Sequence, residues 1–153
     1  EYLYRLYLDN ELATNRFPVG GQLVRLSDIR VPMFVVGTEA DHVAPWKSVY
    51  KVDNLVRSDD FTFLLTAAGH NAGIVCGPVH PKRHCRIKTR RLADPHLAPG
   101  DWVGSATRHE GSWWPFWTEW LKARGVGENV APATLGSANH PVIAPAPGTY
   151  VFE

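Results

Sequence analysis

Apolar positions along the chain gather into two dense runs and one periodic stretch. Val31 to Thr38 (VPMFVVGT) and Phe61 to Ala68 (FTFLLTAA) are nearly continuous in apolar and β-branched residues. That is the pattern of parallel strands buried on both faces, not the alternation of a half-solvated strand. Between them Pro45 stands where a first helical turn tolerates it, and Trp46, Val49, Tyr50, Asp53 and Leu55 continue an amphipathic helix. Strand, helix and strand with short connections predict a right-handed βαβ unit.

Shorter signals flank this unit. Residues 2–12 (YLYRLYLDNEL) are rich in leucine and aromatics with Arg5, Asp9 and Glu11 interspersed, which reads as a short helix or a buried connector. Gly20-Gly21 separates two apolar pieces between Phe17 and Leu26 and predicts a tight hairpin. Residues 77–101 carry Pro78, Pro81, Pro95, Pro99 and Gly100 and read as loop, with Cys85 to Thr89 alternating in the manner of an edge strand. Ser112 is placed to cap a helix in which Trp113, Phe116, Trp117, Trp120 and Leu121 recur at helical spacing and Gly125 ends the run, so that this helix must bury an aromatic face. From Val126 onward Pro132, Pro141, Pro145 and Pro147 predict an extended tail.

A chain of 153 residues, 44% hydrophobic and 20% charged, is ordinary for one folded domain and excludes disorder or a fibrous repeat. No apolar stretch reaches the ~20 residues of a spanning helix. The net charge of +1 gives no global reason to seek nucleic acid or anionic membrane. The charge is uneven, however: residues 61–100 hold one acid, Asp94, against Lys82, Arg83, Arg86, Lys88, Arg90 and Arg91. This patch suits either the phosphates of a ligand or a solvated edge strand, and it lacks the interleaved aromatics of a single-strand nucleic-acid surface. Two cysteines, Cys76 and Cys85, are too few for a disulfide framework and fit a reducing cytoplasm. The chain starts at Glu1 and its single methionine, Met33, falls in a strand-like run, which suggests a natural start upstream.

In open parallel sheets the reactive groups lie on loops leaving the carboxyl ends of strands. Asp41 follows the first apolar run and His70 the second, 29 residues apart. An acid and then a histidine in this order form the last two members of the α/β-hydrolase triad. A neutral imidazole accepts a nucleophile's proton, and a carboxylate on its other nitrogen fixes the tautomer and stabilises the cation. Taken singly, an aspartate in such a turn more often caps a helix and a histidine after a strand is more often a hydrogen-bonded surface group; the joint placement of Asp41 and His70 favours catalysis.

Four segments in order carry a family resemblance: GTEADHVAPW (Gly37 to Trp46), AGHNAG (Ala68 to Gly73), GSWWPFWTEWL (Gly111 to Leu121) and APAPGTYV (Ala144 to Val151), with YLDNEL (Tyr7 to Leu12) upstream. The chain resembles the carboxyl-terminal half of a class I polyhydroxyalkanoate synthase. The resemblance implies an α/β fold, the carboxyl-terminal part of an α/β-hydrolase, with a mostly parallel sheet flanked by helices. Residues 1–30 would then form a cap-side connector and hairpin, 31–125 the catalytic portion and 126–153 the tail.

The implied activity is acyl transfer, in which (R)-3-hydroxyacyl-coenzyme A is polymerised into polyester with release of coenzyme A and without a resident cofactor. A cysteine in a G-x-C-x-G elbow would attack the thioester, His70 would be its base, and Asp41 would orient His70 or help deprotonate the incoming 3-hydroxyl. His42 and Trp46 would shape the site, and Arg86 and Lys88 within the basic patch would meet the coenzyme A phosphates. The implied partners are the acyl-coenzyme A, the growing polyester, an upstream half carrying the cysteine and a second copy in a homodimer; the implied location is the cytoplasm, at polymer granules.

The sequence departs from a complete enzyme. No G-x-S-x-G or G-x-C-x-G precedes Asp41, and Cys76 and Cys85 follow His70 outside any elbow context. The 153 residues alone are therefore expected to be inactive, and poorly soluble or self-associating because of an unpaired parallel edge. Cys76, His80, His84 and Cys85 present C-x3-H-x3-H-C, but Pro78 and Pro81 forbid the helix that would align them, and no metal is expected. An ester-cleaving α/β-hydrolase and a non-catalytic polymer-granule-binding domain are the competing readings.

Overall fold

A computed structural model of the chain describes residues 1–78, 80, 82–127 and 134–153. Pro81 and Pro132, two of the prolines that mark loops in the sequence, lie outside the described residues. The chain divides into two compact units, Glu1–Ala123 and Arg124–Glu153.

The first unit is organised by two strands, β3 (Met33–Thr38) and β4 (Asp60–Thr66); the glycine-turn hairpin β1 (Phe17–Val19) and β2 (Gln22–Val24) precedes them. Gly20 and Gly21 both take positive φ, +57° and +80°, as the two-residue turn requires. β3 and β4 pair in parallel from Met33↔Phe61 to Thr38↔Thr66. The connection is short: α1 (Trp46–Tyr50) passes directly into a 3-10 turn over Lys51–Asn54. Beyond β4 the sheet changes character. β5 (His84–Arg91) pairs antiparallel with β4, and β6 (Thr107–Glu110) antiparallel with β5, giving the order β3-β4-β5-β6. The α/β class is as expected, and the parallel ladder is confined to β3–β4.

Two parts of this arrangement correct the sequence reading. β5 is an interior strand with β6 on its outer side, so its cations do not guard an open edge. The stretch read as loop ends inside α3 (Pro99–Ser105), whose proline occupies the first turn, where it costs no hydrogen bond.

Strand alternation builds a core on each face of the sheet. Phe61, Phe63 and Leu65 pack with Tyr50 of α1 and Trp102 of α3; Leu64 and Cys85 pack with Cys76 and Trp113 on the other face. α2 (His70–Ile74) and α4 (Trp114–Lys122) complete the first unit. The aromatic face of α4 is covered only in part: Trp113 is buried, whereas Trp117 and Leu121 remain exposed. The amino-terminal segment forms a π-helical turn, Leu3–Leu8, with Leu3, Tyr4, Tyr7 and Leu8 exposed, not a buried connector. In the second unit the described residues hold one 3-10 turn, Tyr150–Phe152, and a local turn in which the Ser137 amide donates to the His140 carbonyl at 2.9 Å. Among the described residues no helix is long and apolar enough to cross a membrane.

Candidate active site

The loops leaving β3 and β4 are stitched together beyond the ends of the strands. The Glu39 amide donates to the Thr66 carbonyl at 2.9 Å and the Ala40 amide to the Ala68 carbonyl at 3.0 Å. Ala68 accepts this second bond in a left-handed conformation, φ +76°, unusual for a residue with a Cβ and typical of turns held by their surroundings. Asp41 follows one loop and His70 opens α2 after the other. Their side chains meet: His70 Nδ1 lies 2.9 Å from Asp41 Oδ2.

Asp41 also accepts from its own loop and from the end of β3. Oδ1 takes the Val43 amide at 2.9 Å and the Ala44 amide at 2.8 Å, while the Thr38 hydroxyl donates to Oδ2 at 3.3 Å. Donation by the Ala44 amide, and next by His70, draws the Asp41 carboxyl down from 3.8 to about 2. An ionised carboxylate only accepts, so His70 Nδ1 must carry the proton, and Nε2 of the neutral ring is the basic nitrogen. The His70 side chain is 48% exposed against 8% for Asp41, so the acid is sheltered while the imidazole faces outward.

Packing around α2 fixes this geometry. A Cβ on Gly73 would lie 2.6 Å from Thr38 Cγ2 and 2.9 Å from the Ala67 carbonyl oxygen, so only glycine lets the helix approach β3 this closely. Thr38 thus touches α2 with its methyl and Asp41 with its hydroxyl. Glu39 Oε2 meets His84 Nε2 at 3.0 Å, tying the acid-bearing loop to the start of β5.

The other expected site residues are dispersed. His42 is exposed beside Asp41. Trp46 sits in the α1-side core, with ring centroids 6.5, 6.4 and 6.3 Å from those of Tyr50, Phe63 and Trp102. Arg86 donates to the Val103 carbonyl of α3 at 3.4 Å. Lys88 lines a cavity of about 350 Å³ together with Tyr50, Asp53, Arg90 and Trp102. The basic patch has acids after all, drawn from other parts of the chain. Arg90 binds buried Asp53 at 2.6 Å, His96 Nδ1 meets the same carboxylate at 2.7 Å, and Arg91 lies 3.3 Å from Asp60.

Cys76 and Cys85 are both free and fully buried, and burial, followed by the neighbouring Cys76, pushes the Cys85 thiol up to about 11. Buried in this way, both thiols pack as small hydrophobes. Among the described residues no three of His, Cys, Asp or Glu gather in a metal-binding arrangement. What the described residues bring together is a carboxylate and an imidazole that it orients, Asp41 and His70.

No family model matches the chain. Curated relatives do. It is 38% identical over 151 residues to the poly(3-hydroxyalkanoate) polymerase subunit PhaC of Cupriavidus necator, covering 98% of this chain and 25% of that protein. It is 37% identical over 150 residues to the poly(3-hydroxyalkanoate) polymerase of Methylorubrum extorquens, covering 98% and 24%. The identity to poly(3-hydroxyalkanoate) polymerase 2 of Ectopseudomonas oleovorans is 38% over 134 residues, covering 88% and 23%. The chain thus spans about a quarter of the length of the curated relatives it matches.

Proposed function

The chain belongs, as a segment, to the poly(3-hydroxyalkanoate) polymerase family, and on that premise we propose that it supplies the acid and the base of a cysteine-dependent polyester synthase. In this reading a cysteine thiol contributed by the rest of the longer protein gives its proton to His70 Nε2 as its sulfur attacks the thioester carbonyl of a 3-hydroxyacyl-coenzyme A. The carbon–sulfur bond to coenzyme A breaks, the departing thiolate takes the proton back from the imidazolium, and an acyl-cysteine remains. The 3-hydroxyl of the next unit then gives its proton to His70 and attacks that acyl group, forming the oxygen ester and freeing the cysteine. Asp41 stays ionised throughout and holds the imidazole in the tautomer that leaves Nε2 basic.

The observation that carries the reading is the 2.9 Å contact between His70 Nδ1 and a carboxylate whose other oxygen is already saturated by backbone amides. The relatives' names give the polymer class. The test measures coenzyme A release from (R)-3-hydroxybutyryl-coenzyme A by the polymerase chain that carries this segment, beside its His70→Ala variant. Release that falls by about 10³-fold or more in the variant supports the assignment. Release that persists in His70→Ala removes His70 from the chemistry. Ester hydrolysis without thioester turnover would instead assign the dyad to an esterase.

A further inference from the structure

We propose that Trp113 and Trp114 are positioning residues that hold His70 against Asp41 by anchoring the far end of its helix; this rests on the reading of His70 as the base. α2 is five residues long, and Gly69 before it gives no side-chain cap. A helix so short has no stability of its own, so its placement is decided by what binds its ends. Three consecutive residues at the head of α4 do this. The Trp113 indole N–H donates to the Gly73 carbonyl at 3.0 Å, the Trp114 indole N–H to the Ile74 carbonyl at 3.0 Å, and the Ser112 hydroxyl to the Cys76 carbonyl. Helix carbonyls that α2 cannot satisfy internally are thereby met by donors of fixed direction.

The clamp is itself tied to the acid's strand. Trp113 is only 6% exposed and stacks on Phe34 of β3 at a centroid distance of 6.5 Å. The same strand ends at Thr38, whose hydroxyl reaches Asp41 and whose methyl bears on Gly73. Acid and base are thus referenced to β3 from two sides, by Thr38 near the site and by Trp113 behind it. A displacement of α2 along its axis would lengthen the contact between His70 and Asp41. Ordinary core packing accounts for the ring of Trp113; it does not account for two indole donors on successive carbonyls of the helix that carries the base.

Phenylalanine separates the two roles, because Trp113→Phe and Trp114→Phe keep most of the ring and delete the donor. In the polymerase chain that carries this segment, each is expected to lower kcat for coenzyme A release about tenfold while KM stays within about twofold. In a double variant with His70→Ala, neither change is expected to reduce the residual rate further, since both act through His70. Should Trp113→Phe fail to fold, Trp114→Phe and Ser112→Ala decide the matter. Folded variants with kcat within twofold of the parent, or a double variant in which the losses multiply, would overturn the proposal. A His70→Ala variant with undiminished release would sink the base assignment instead, which keeps the two failures distinct.

Discussion

Replacing Asp41 by asparagine changes one atom and, by the geometry of the loop, inverts the histidine. The two amides of Val43 and Ala44 point at Oδ1 from 2.9 and 2.8 Å, and an NH2 group there would face two donors. The asparagine oxygen must therefore occupy the Oδ1 position, which turns the NH2 toward His70. Nδ1 then has to accept, Nε2 becomes protonated, and the ring can no longer take a proton from a thiol or a hydroxyl. The fold should survive, since both loop amides keep their acceptor, while on the proposed mechanism coenzyme A release by the polymerase chain that carries this segment should fall by about 10³- to 10⁴-fold.

Acidification supplies a second readout of the same residue. The Asp41 carboxyl titrates at about 2 in the folded chain against an ordinary 3.8, so the unfolded chain takes up the proton first. The stabilisation that the carboxylate gives is complete above pH ~4 and is lost as pH falls through about 2. Asp41→Asn should unfold more readily than the parent above pH ~4, the gap closing toward pH 2. An Asp41→Asn enzyme retaining a tenth or more of the parent rate would refute the tautomer argument, whatever its stability.

Three further outcomes follow from packing and charge. Gly73→Ala should destabilise by about 1–3 kcal/mol in denaturant titration, because both atoms nearest the new Cβ are fixed, one a backbone carbonyl and the other the methyl of a threonine that is 2% exposed; an unchanged midpoint would contradict this. Asp53→Ala should cost about 3–5 kcal/mol, since it strands the Arg90 guanidinium, only 14% exposed, without its carboxylate; chemical denaturation measures it, and a loss under 1 kcal/mol would mean that Arg90 finds water or another acid. Cys76 and Cys85 should resist iodoacetamide at pH 8 in the folded protein and react only after denaturation, as followed by mass spectrometry; labelling at native rates would show that the Cys85 thiol is accessible.

Continuous apolar runs, a glycine pair and an ordered acid and histidine were legible because each is a local signal with one physical meaning. β3, β4, the hairpin and the meeting of Asp41 with His70 therefore follow from the residues. α3 and β6 were hidden: Pro99 and Gly100 read as loop punctuation, yet a proline in a first turn begins a helix as readily as it breaks one. β6 is four residues long with two of them charged, and only its pairing with β5 makes it a strand. The clamp of Trp113 and Trp114 was invisible for another reason. Helical spacing reports which way a ring faces and carries no information about where its N–H will find an acceptor.

What brings the site together is register. β3 and β4 pair in parallel with Thr38 opposite Thr66, so their ends lie at one level, and Asp41 and His70 emerge three and four residues further on. A slip of one residue would turn Phe34 and Val36 from the core they share with Trp113 toward the core of Tyr50 and Trp102, and carry Met33 and Val35 the opposite way. A slip of two would keep every face yet move the acid by about 6.6 Å, more than twice the present separation of carboxylate and imidazole. Facing alone cannot forbid that second slip. The interlocking shapes of the two cores, the stitch from Ala40 to Ala68 and the close seat of Gly73 on Thr38 oppose it, and all three lie within a few residues of the dyad. The precision of the site therefore depends on packing at the strand ends, where a substitution that leaves the fold intact can still separate His70 from Asp41.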